Sequence, residues 1–246
     1  MVSEVLVLGG GLAGGAAALQ LAQGGVPVRL LEREGGPHHK ICGEFLSVEA
    51  QRDLARIGFD VARLGAVPID RLRLVRGGRR VEAKLPFTAL GISRMRLDEA
   101  LLEAAERAGA RIERGVKVTR IGDGDVHSSA GSCRAAHLLL ATGKHDVRGA
   151  PRGDAPAEDS PVGFKMHWRV APGQAQSMRG AIELVLFAGG YAGLQLVDDD
   201  TLNLCLIVSR KRLLGAGGSW RARLDVLMRE EHIARRLSNA EPLFPR

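Results

Sequence analysis

Seven consecutive residues, Gly9-Gly10-Gly11-Leu12-Ala13-Gly14-Gly15, carry the clearest chemical signal in this 246-residue sequence. Gly9, Gly11 and Gly14 fit the spacing G-x-G-x-x-G. The first glycine permits a tight turn, the second lets backbone approach a pyrophosphate, and the third allows a helix to close on a strand. A loop of this kind that opens a helix turns N–H groups and the positive end of the helix dipole toward an anion. Glu32 follows Gly11 at roughly the 20-residue separation at which a carboxylate accepts hydrogen bonds from ribose hydroxyls. A carboxylate there repels a 2′-phosphate, so FAD or NAD is expected in preference to NADP. On these residues alone FAD and NAD both stay open, as does a glycine-rich turn in an unrelated α/β protein with Glu32 merely solvated.

Other constellations offer less. His38-His39 with Cys42 lacks ligand geometry and a fourth partner, so no metal is expected. Asp198 to Asp200 reads as a solvated turn, without the spaced ligands of a calcium loop. Cys42, Cys133 and Cys205 cannot all pair and none stands in a C-x-x-C. That argues against a disulfide scaffold or a cysteine-only zinc site, and a reducing cytoplasm is the expected setting. Tyr191, the only tyrosine, follows two glycines; lining a substrate cavity and packing in a core are both open to it.

The glycine loop and Glu32 need a strand, a helix and a second strand to hold them. Val5 to Leu8 is wholly apolar, as a strand buried on both faces requires. Ala13 to Gln23 reads as a helix stopped at Gly24-Gly25, and Val26 to Glu32 as a second buried strand, which predicts a parallel right-handed crossover. Ser47 to Ile57 reads as a helix with Ser47 as N-cap and Gly58 at its stop. Arg71 to Val75 and Val81 to Leu85 flank Arg76-Gly-Gly-Arg-Arg80 and read as a hairpin. Leu97 to Ala108 is amphipathic, with Leu97, Ala100, Leu101, Ala104 and Ala108 inward and Asp98, Glu99, Glu103 and Glu106 placed in water. Strands are expected at Arg111 to Glu113 and Lys117 to Ile121, and His137 to Ala141 reads as another buried run.

A stretch rich in Pro, Gly, Asp and Ala, Arg148 to Pro161, marks a boundary. Beyond it the alternating segments Val162 to Val170, Ala181 to Phe187, Tyr191 to Val197 and Leu202 to Val208 predict a second, largely antiparallel module. Turns are expected at Gly189-Gly190 and Asp198 to Asp200, and a final helix from Trp220 to Arg236 with Ser219 as N-cap. The expected organisation is 1–68 and 91–150 as two parts of a cofactor domain, 69–90 as a hairpin of the substrate domain, and 151–246 as the rest of that domain.

Composition narrows the partners. At 45% hydrophobic and 26% charged, the chain is too apolar for a disordered protein. No apolar run is long enough for a membrane-spanning helix, and the start lacks the basic region of a signal peptide. The net charge of +7 comes from 35 basic residues of which only six are lysine. The arginines are scattered and no aromatic residues interleave with them, so nucleic acid is not an expected partner.

Four further segments resemble those of the FAD-dependent oxidoreductase and monooxygenase family with the p-hydroxybenzoate hydroxylase fold. They are Lys40-Ile-Cys-Gly-Glu44, Ile92-Ser-Arg-Met-Arg-Leu-Asp98, Leu138-Leu-Leu-Ala-Thr-Gly143 and Gly189-Gly-Tyr-Ala-Gly-Leu194. The likeness is closest to the geranylgeranyl reductase-like branch, through the Cys-Gly-Glu loop. The resemblance implies an α/β fold, a Rossmann-type FAD-binding domain with an interleaved, mainly antiparallel β substrate domain. It implies FAD as cofactor, NADPH or NADH as electron donor, and alkene reduction or hydroxylation of a hydrophobic or carrier-presented small molecule. By position it sets Arg94 beside the flavin's phosphates or ribityl chain and lends the backbone of Val118 to the adenine. It brings Thr142 and Gly143 close to the cofactor and Cys42 and Gly43 to the flavin ring. The residues themselves leave Arg94 open to being a surface arginine and Cys42 a small buried hydrophobe, and they nominate no catalytic acid or base.

Two departures qualify the resemblance. The hydroxylase branch has Asp-Gly where this sequence has Thr142-Gly143, and a late Gly-Asp segment that holds the ribityl chain in relatives has no counterpart. The expectation is therefore the N-terminal two-thirds of such an enzyme, with weak FAD binding and a reductase or complementing C-terminal polypeptide as partner. An NAD-dependent dehydrogenase and a folded, non-catalytic remnant stand as alternatives.

Overall fold

A computed structural model describes residues 3–122, 124–151, 160–198, 200–215, 224 and 227–243. In chain order the first half runs β1 (Val5–Leu8), α1 (Leu12–Gln23), β2 (Val28–Glu32), β3 (Phe45–Leu46), α2 (Val48–Arg56), β4 (Val67–Arg76), β5 (Arg79–Gly91), α3 (Arg94–Arg107) and β6 (Arg111–Arg114). It continues with β7 (Val118–Gly122), β8 (Asp125–Ser128), β9 (Gly131–Arg134), β10 (His137–Leu140), β11 (Pro161–Arg169), α4 (Pro172–Met178) and β12 (Gly180–Phe187). The last elements are β13 (Gly190–Val197), β14 (Thr201–Ser209), α5 (Arg210–Gly215), α6 (Glu231–Arg236) and β15 (Glu241–Pro242). Among the described residues no helix is long and apolar enough to cross a membrane.

The chain divides into two compact units. One comprises Met1–His39, Arg52–Val61 and Arg94–Asp154, the other Lys40–Gln51, Ala62–Ser93 and Ala155–Arg246. In the first, a parallel sheet has the order β10-β1-β2-β6. β1 lies between two neighbours and is buried along its whole length, which is why Val5 to Leu8 is apolar without alternation. Leu6, Leu8 and Leu31 pack with Val116 and Val126, the latter from a three-stranded antiparallel sheet, β7-β8-β9. β8 and β9 carry no strong sequence signal, being short and mixed in polarity. β10 forms the sheet edge, so the expected buried run is only half-covered there and Leu139 is exposed.

The second unit is built on an eight-stranded sheet of order β15-β11-β14-β13-β12-β4-β5-β3. Its pairs are antiparallel except β12 with β4, which is parallel. The expected hairpin is present and longer, because Gly77 and Gly78 both take positive φ and close a two-residue turn of the kind that matches strand twist. One face of this sheet carries Met166, Trp168, Leu202, Leu204, Leu206, Leu194 and Leu196, packed against Met178 of α4, Leu213 of α5 and Ile233 of α6. Strand alternation sends the intervening residues to the other face.

Two local expectations are corrected. Asp98 is buried, not wet, because Arg94 one turn earlier grips its carboxylate through two hydrogen bonds of 2.7 and 2.9 Å. The helix expected over 220–236 is broken in its described part: residues 228–230 form a turn, and α6 starts afresh at Glu231. Ser219, the expected N-cap, lies outside the described residues.

Candidate functional site

In the first unit, the carboxyl ends of β1, β2 and β10 meet, the place where open α/β sheets take their ligands. The turn after β1 begins at Gly9 with φ +105°. A β carbon on Gly9 would stand 2.5 Å from the carbonyl oxygen of Ala141, so only glycine serves. Gly14, on the first turn of α1, sits so close that an added β carbon would overlap the carbonyl oxygen of Gly9. A β carbon on Gly15 would press less severely, 3.1 Å from the Leu101 side chain of α3. Gly11 is the N-cap of α1, with no side chain capping the helix. Its φ of −77° is open to any residue, so backbone geometry does not explain the glycine.

Glu32 closes the loop from the end of β2. Its Oε2 accepts from the Gly10 N–H at 2.5 Å and its Oε1 from the Glu34 N–H at 3.0 Å. A carboxylate has about four acceptor sites, so both oxygens keep capacity for hydroxyl donors. A small cleft beside it is lined by Gly10, Glu32, His38, Asp98, Glu99 and Arg114, with Glu99 paired to Arg114 at 2.7 Å. Arg94 reaches this cleft's wall through Asp98.

Thr142 and Gly143 form the turn after β10. Thr142 Oγ1 donates to the His145 carbonyl at 2.6 Å, Gly143 has φ +63°, and the Thr142 backbone lies against Gly9. Val118 turns its side chain to the core under β1. The expected residues Gly9, Gly11, Gly14, Glu32, Thr142 and Gly143 are thus brought together, with Arg94 joined through Asp98. Turn glycine, close helix, uncapped N-terminus and hydroxyl-accepting carboxylate fit the adenosine diphosphate half of a dinucleotide.

Cys42, Gly43 and Tyr191 belong to the second unit. Tyr191 is 37% exposed, which removes the core-packing alternative. The loop carrying Cys42 is fastened to the sheet face opposite the helices. Asn203 Nδ2 donates to the Gly43 carbonyl at 2.8 Å and Gln195 Nε2 to the Glu44 carbonyl at 2.7 Å. Glu44 Oε1 is paired with Lys165 Nζ, and Oε2 lies 2.6 Å from His167 Nε2. Burial alone would raise the Glu44 carboxyl, but the His167 hydrogen bond and the Lys165 ammonium hold it below the usual carboxylate range. Burial pushes the nearby Cys205 thiol up to about 11, which leaves it a poor nucleophile. Sequence reading missed Lys165, His167, Gln195 and Asn203. Their alternation with core residues is that of any solvated strand face.

A model of the family described as pyridine nucleotide-disulphide oxidoreductase matches residues 3–196. Menaquinone reductase of Mycobacterium tuberculosis (strain ATCC 25618 / H37Rv) is 32% identical over 146 residues, covering 57% of this chain and 34% of that protein. The flavin-dependent halogenase armH1 of Armillaria mellea is 30% identical over 127 residues, covering 48% and 24% respectively. The chain therefore spans about a third or less of the curated relatives it matches. Among solved structures, the myxobacterial chondrochloren halogenase CndH, described as a variant of FAD-dependent halogenases, aligns over 100% of this chain and 62% of its own. The TM-score is 0.77 at 19% identity, a likeness of fold.

Proposed function

This chain belongs to the pyridine nucleotide-disulphide oxidoreductase family, and from that premise we propose that it is an FAD-dependent oxidoreductase that reduces a hydrophobic small molecule. The observation that carries the reading is the Gly9–Gly14 loop with Glu32 bonded to it through Oε2 while Oε1 accepts from the Glu34 amide. In this reading Glu32 receives the ribose hydroxyls, the N-terminus of α1 faces the pyrophosphate, and Gly11 is glycine because the phosphates come close. Val118 offers backbone to the adenine. Arg94 and the Thr142–Gly143 turn flank the ribityl side, Cys42 and Gly43 approach the flavin ring, and Tyr191 faces substrate. Bound flavin supplies the electron transfer; the chain supplies binding, orientation and exclusion of water. NADPH or NADH is the proposed donor.

Reduction is preferred to hydroxylation because the menaquinone reductases give the longer match. The second reading, flavin-dependent halogenation, rests on the similarity to armH1; a product that appears only with added halide would select it. The central test is FAD titration of the purified chain, followed by flavin bleaching with NADPH or NADH. Uptake of flavin is expected, and its absence from correctly folded protein would sink the reading.

Glu32→Ala is expected to weaken FAD by about 1.5–3 kcal/mol, roughly 10- to 150-fold, the scale of hydrogen bonds to a charged group. The same substitution leaves the Gly10 and Glu34 amides without their acceptor. A melting curve read beside the titration separates lost affinity from lost folding. Unchanged FAD affinity would assign Glu32 to the loop alone.

A further inference from the structure

Strand register gathers six cations at one end of the eight-stranded sheet of the second unit. Val185 on β12 lies opposite Val75 on β4, Phe187 opposite Gly190 on β13, and Gly190 opposite Val208 on β14. The β4–β5 turn, the β12–β13 turn and the start of α5 therefore stand abreast, across roughly 20 Å at the usual strand spacing. They carry Arg76, Arg79 and Arg80 on the hairpin and Arg210, Lys211 and Arg212 on α5, all exposed. α5 is fixed in this place. Leu213 enters the core, and Arg212 lies so close over the β12–β13 turn that a β carbon on Gly189 would stand 2.5 Å from its Cδ.

Two features set this end apart from an ordinary solvated rim. The first is a shortage of counter-charge. Residues 76–80, 186–191 and 209–215 contain no aspartate or glutamate. Glu82, farther along β5, is engaged by Arg73 at 2.7 Å and lies 3.8 Å from Arg80. At the opposite end of the strands the cations meet acids, Arg169 with Glu241 at 2.7 Å and Arg179 with Asp200 at 2.5 Å. The second feature is uncovered apolar surface among the six cations. Leu74 and Val81, partners across the hairpin, are 39% and 67% exposed, and Leu214 of α5 is 66% exposed. Cations interleaved with exposed aliphatic side chains suit an interface that is anionic at its surface and apolar just below. Aliphatic groups in these positions favour acyl chains over stacked bases.

We propose that this end of the second unit docks on an anionic phospholipid surface. The guanidinium forks of the hairpin and of α5 take headgroup phosphates, and Leu74, Val81 and Leu214 enter the acyl boundary. The docking surface goes beyond the oxidoreductase reading and does not depend on it, since neither flavin nor substrate takes part.

The test is co-sedimentation of the purified full chain with vesicles of phosphatidylcholine alone and of phosphatidylcholine with one quarter phosphatidylglycerol. At about 0.1 M salt, binding to the anionic vesicles is expected to be at least about 30-fold tighter, and about 0.5 M salt to remove most of the difference. The double variant Arg79→Gln/Arg210→Gln is expected to lose roughly 30-fold on anionic vesicles, or about 2 kcal/mol. Leu214→Ser is expected to lose about tenfold while its salt dependence persists. The charge-matched control Arg107→Gln/Arg169→Gln removes two exposed arginines elsewhere and is expected to stay within about threefold of wild type. Circular dichroism confirms folding of each variant. Equal binding to neutral and anionic vesicles, or none to either, overturns the surface. An equal loss in the double variant and its control overturns it too, because the attraction would then be one of net charge. RNA that strips the protein from anionic vesicles at equal phosphate would assign these cations to nucleic acid and overturn the lipid assignment. Vesicle binding by folded protein that takes up no FAD removes the flavoenzyme reading and leaves the surface.

Discussion

Gly14→Val abolishes FAD uptake and destabilises the first unit by about 3 kcal/mol or more, at the top of the usual range for overpacking. The reason lies in the first carbon added, not in valine's branches. A β carbon at Gly14 overlaps the carbonyl oxygen of Gly9 and stands 3.0 Å from its carbon. Both are backbone atoms of a turn that has no room to retreat, since Gly9 itself is pressed against the Ala141 carbonyl. The only relief is for α1 to lift from β1. That carries its N-terminus out of the position from which it would face phosphates in the proposed site, and loosens Gly15 from Leu101. Gly14→Ala is expected to show most of the effect. An affinity loss of at least about 100-fold, or about 2.7 kcal/mol, is expected in FAD titration, alongside a lower melting temperature. Gly173→Ala is the control. That glycine lies in α4 with nothing within 4 Å of an added β carbon, so alanine there is neutral or stabilising by up to about 1 kcal/mol. A Gly14→Val protein that melts and binds like wild type would reduce the close packing of α1 to coincidence.

The same contrast explains what could be read from the sequence. The glycine loop is legible because its constraints are local. Turn, helix start and carboxylate all lie between the start of β1 and the end of β2, and each requires a particular residue type. The strands of the second unit are legible for a related reason, since period-two alternation is enforced by the packed face of Leu194, Leu196, Leu202, Leu204 and Leu206. Glu44 has no role legible in its own segment, because its role depends on partners far along the chain. Lys165 and His167 come from β11, Gln195 from β13 and Asn203 from β14, all in the second half of the sequence. On a strand of unknown neighbours, Lys165 and His167 look like a wetted face. Only the order β11-β14-β13 and the loop above it turn that face into an interior. Asp98 misleads in the opposite sense: a carboxylate on a helix reads as solvated by its charge, although Arg94 one turn earlier supplies the partner that permits burial.

Glu183→Gln is expected to cost the second unit about 3–5 kcal/mol, the range for breaking a buried ion-pair network by removing one side. Glu183 sits on the core-facing side of β12 with its side chain fully buried. It accepts from Arg73 Nη1 at 2.9 Å, from Arg236 Nε and Nη2 at 2.9 and 2.5 Å, and lies 2.7 Å from His232 Nε2. Arg73 and Arg236 are themselves buried, so neutralising Glu183 leaves the Arg236 guanidinium in the interior without its counter-charge and Arg73 with Glu82 alone, at 2.7 Å. Burial alone would raise its carboxyl, but hydrogen bonds from His232, Arg236 and Arg73, with the Arg236 charge, hold it down at about 2 against an ordinary 4.5. A carboxyl depressed in the folded state stabilises fully above its unfolded value. That contribution, roughly 3 kcal/mol, is lost as pH falls from about 4.5 toward 2. Urea melts of wild type at pH about 6 and about 3 are therefore expected to diverge, and those of Glu183→Gln to diverge less. Glu44, also held low, keeps part of the dependence in the variant. The double variant with Glu44→Gln is expected to be flatter still. Two outcomes would show that α6 is held to the sheet by its apolar contacts alone. One is an unchanged acid slope in Glu183→Gln. The other is a neutral-pH stability within about 0.5 kcal/mol of wild type, the span of an inconsequential surface substitution.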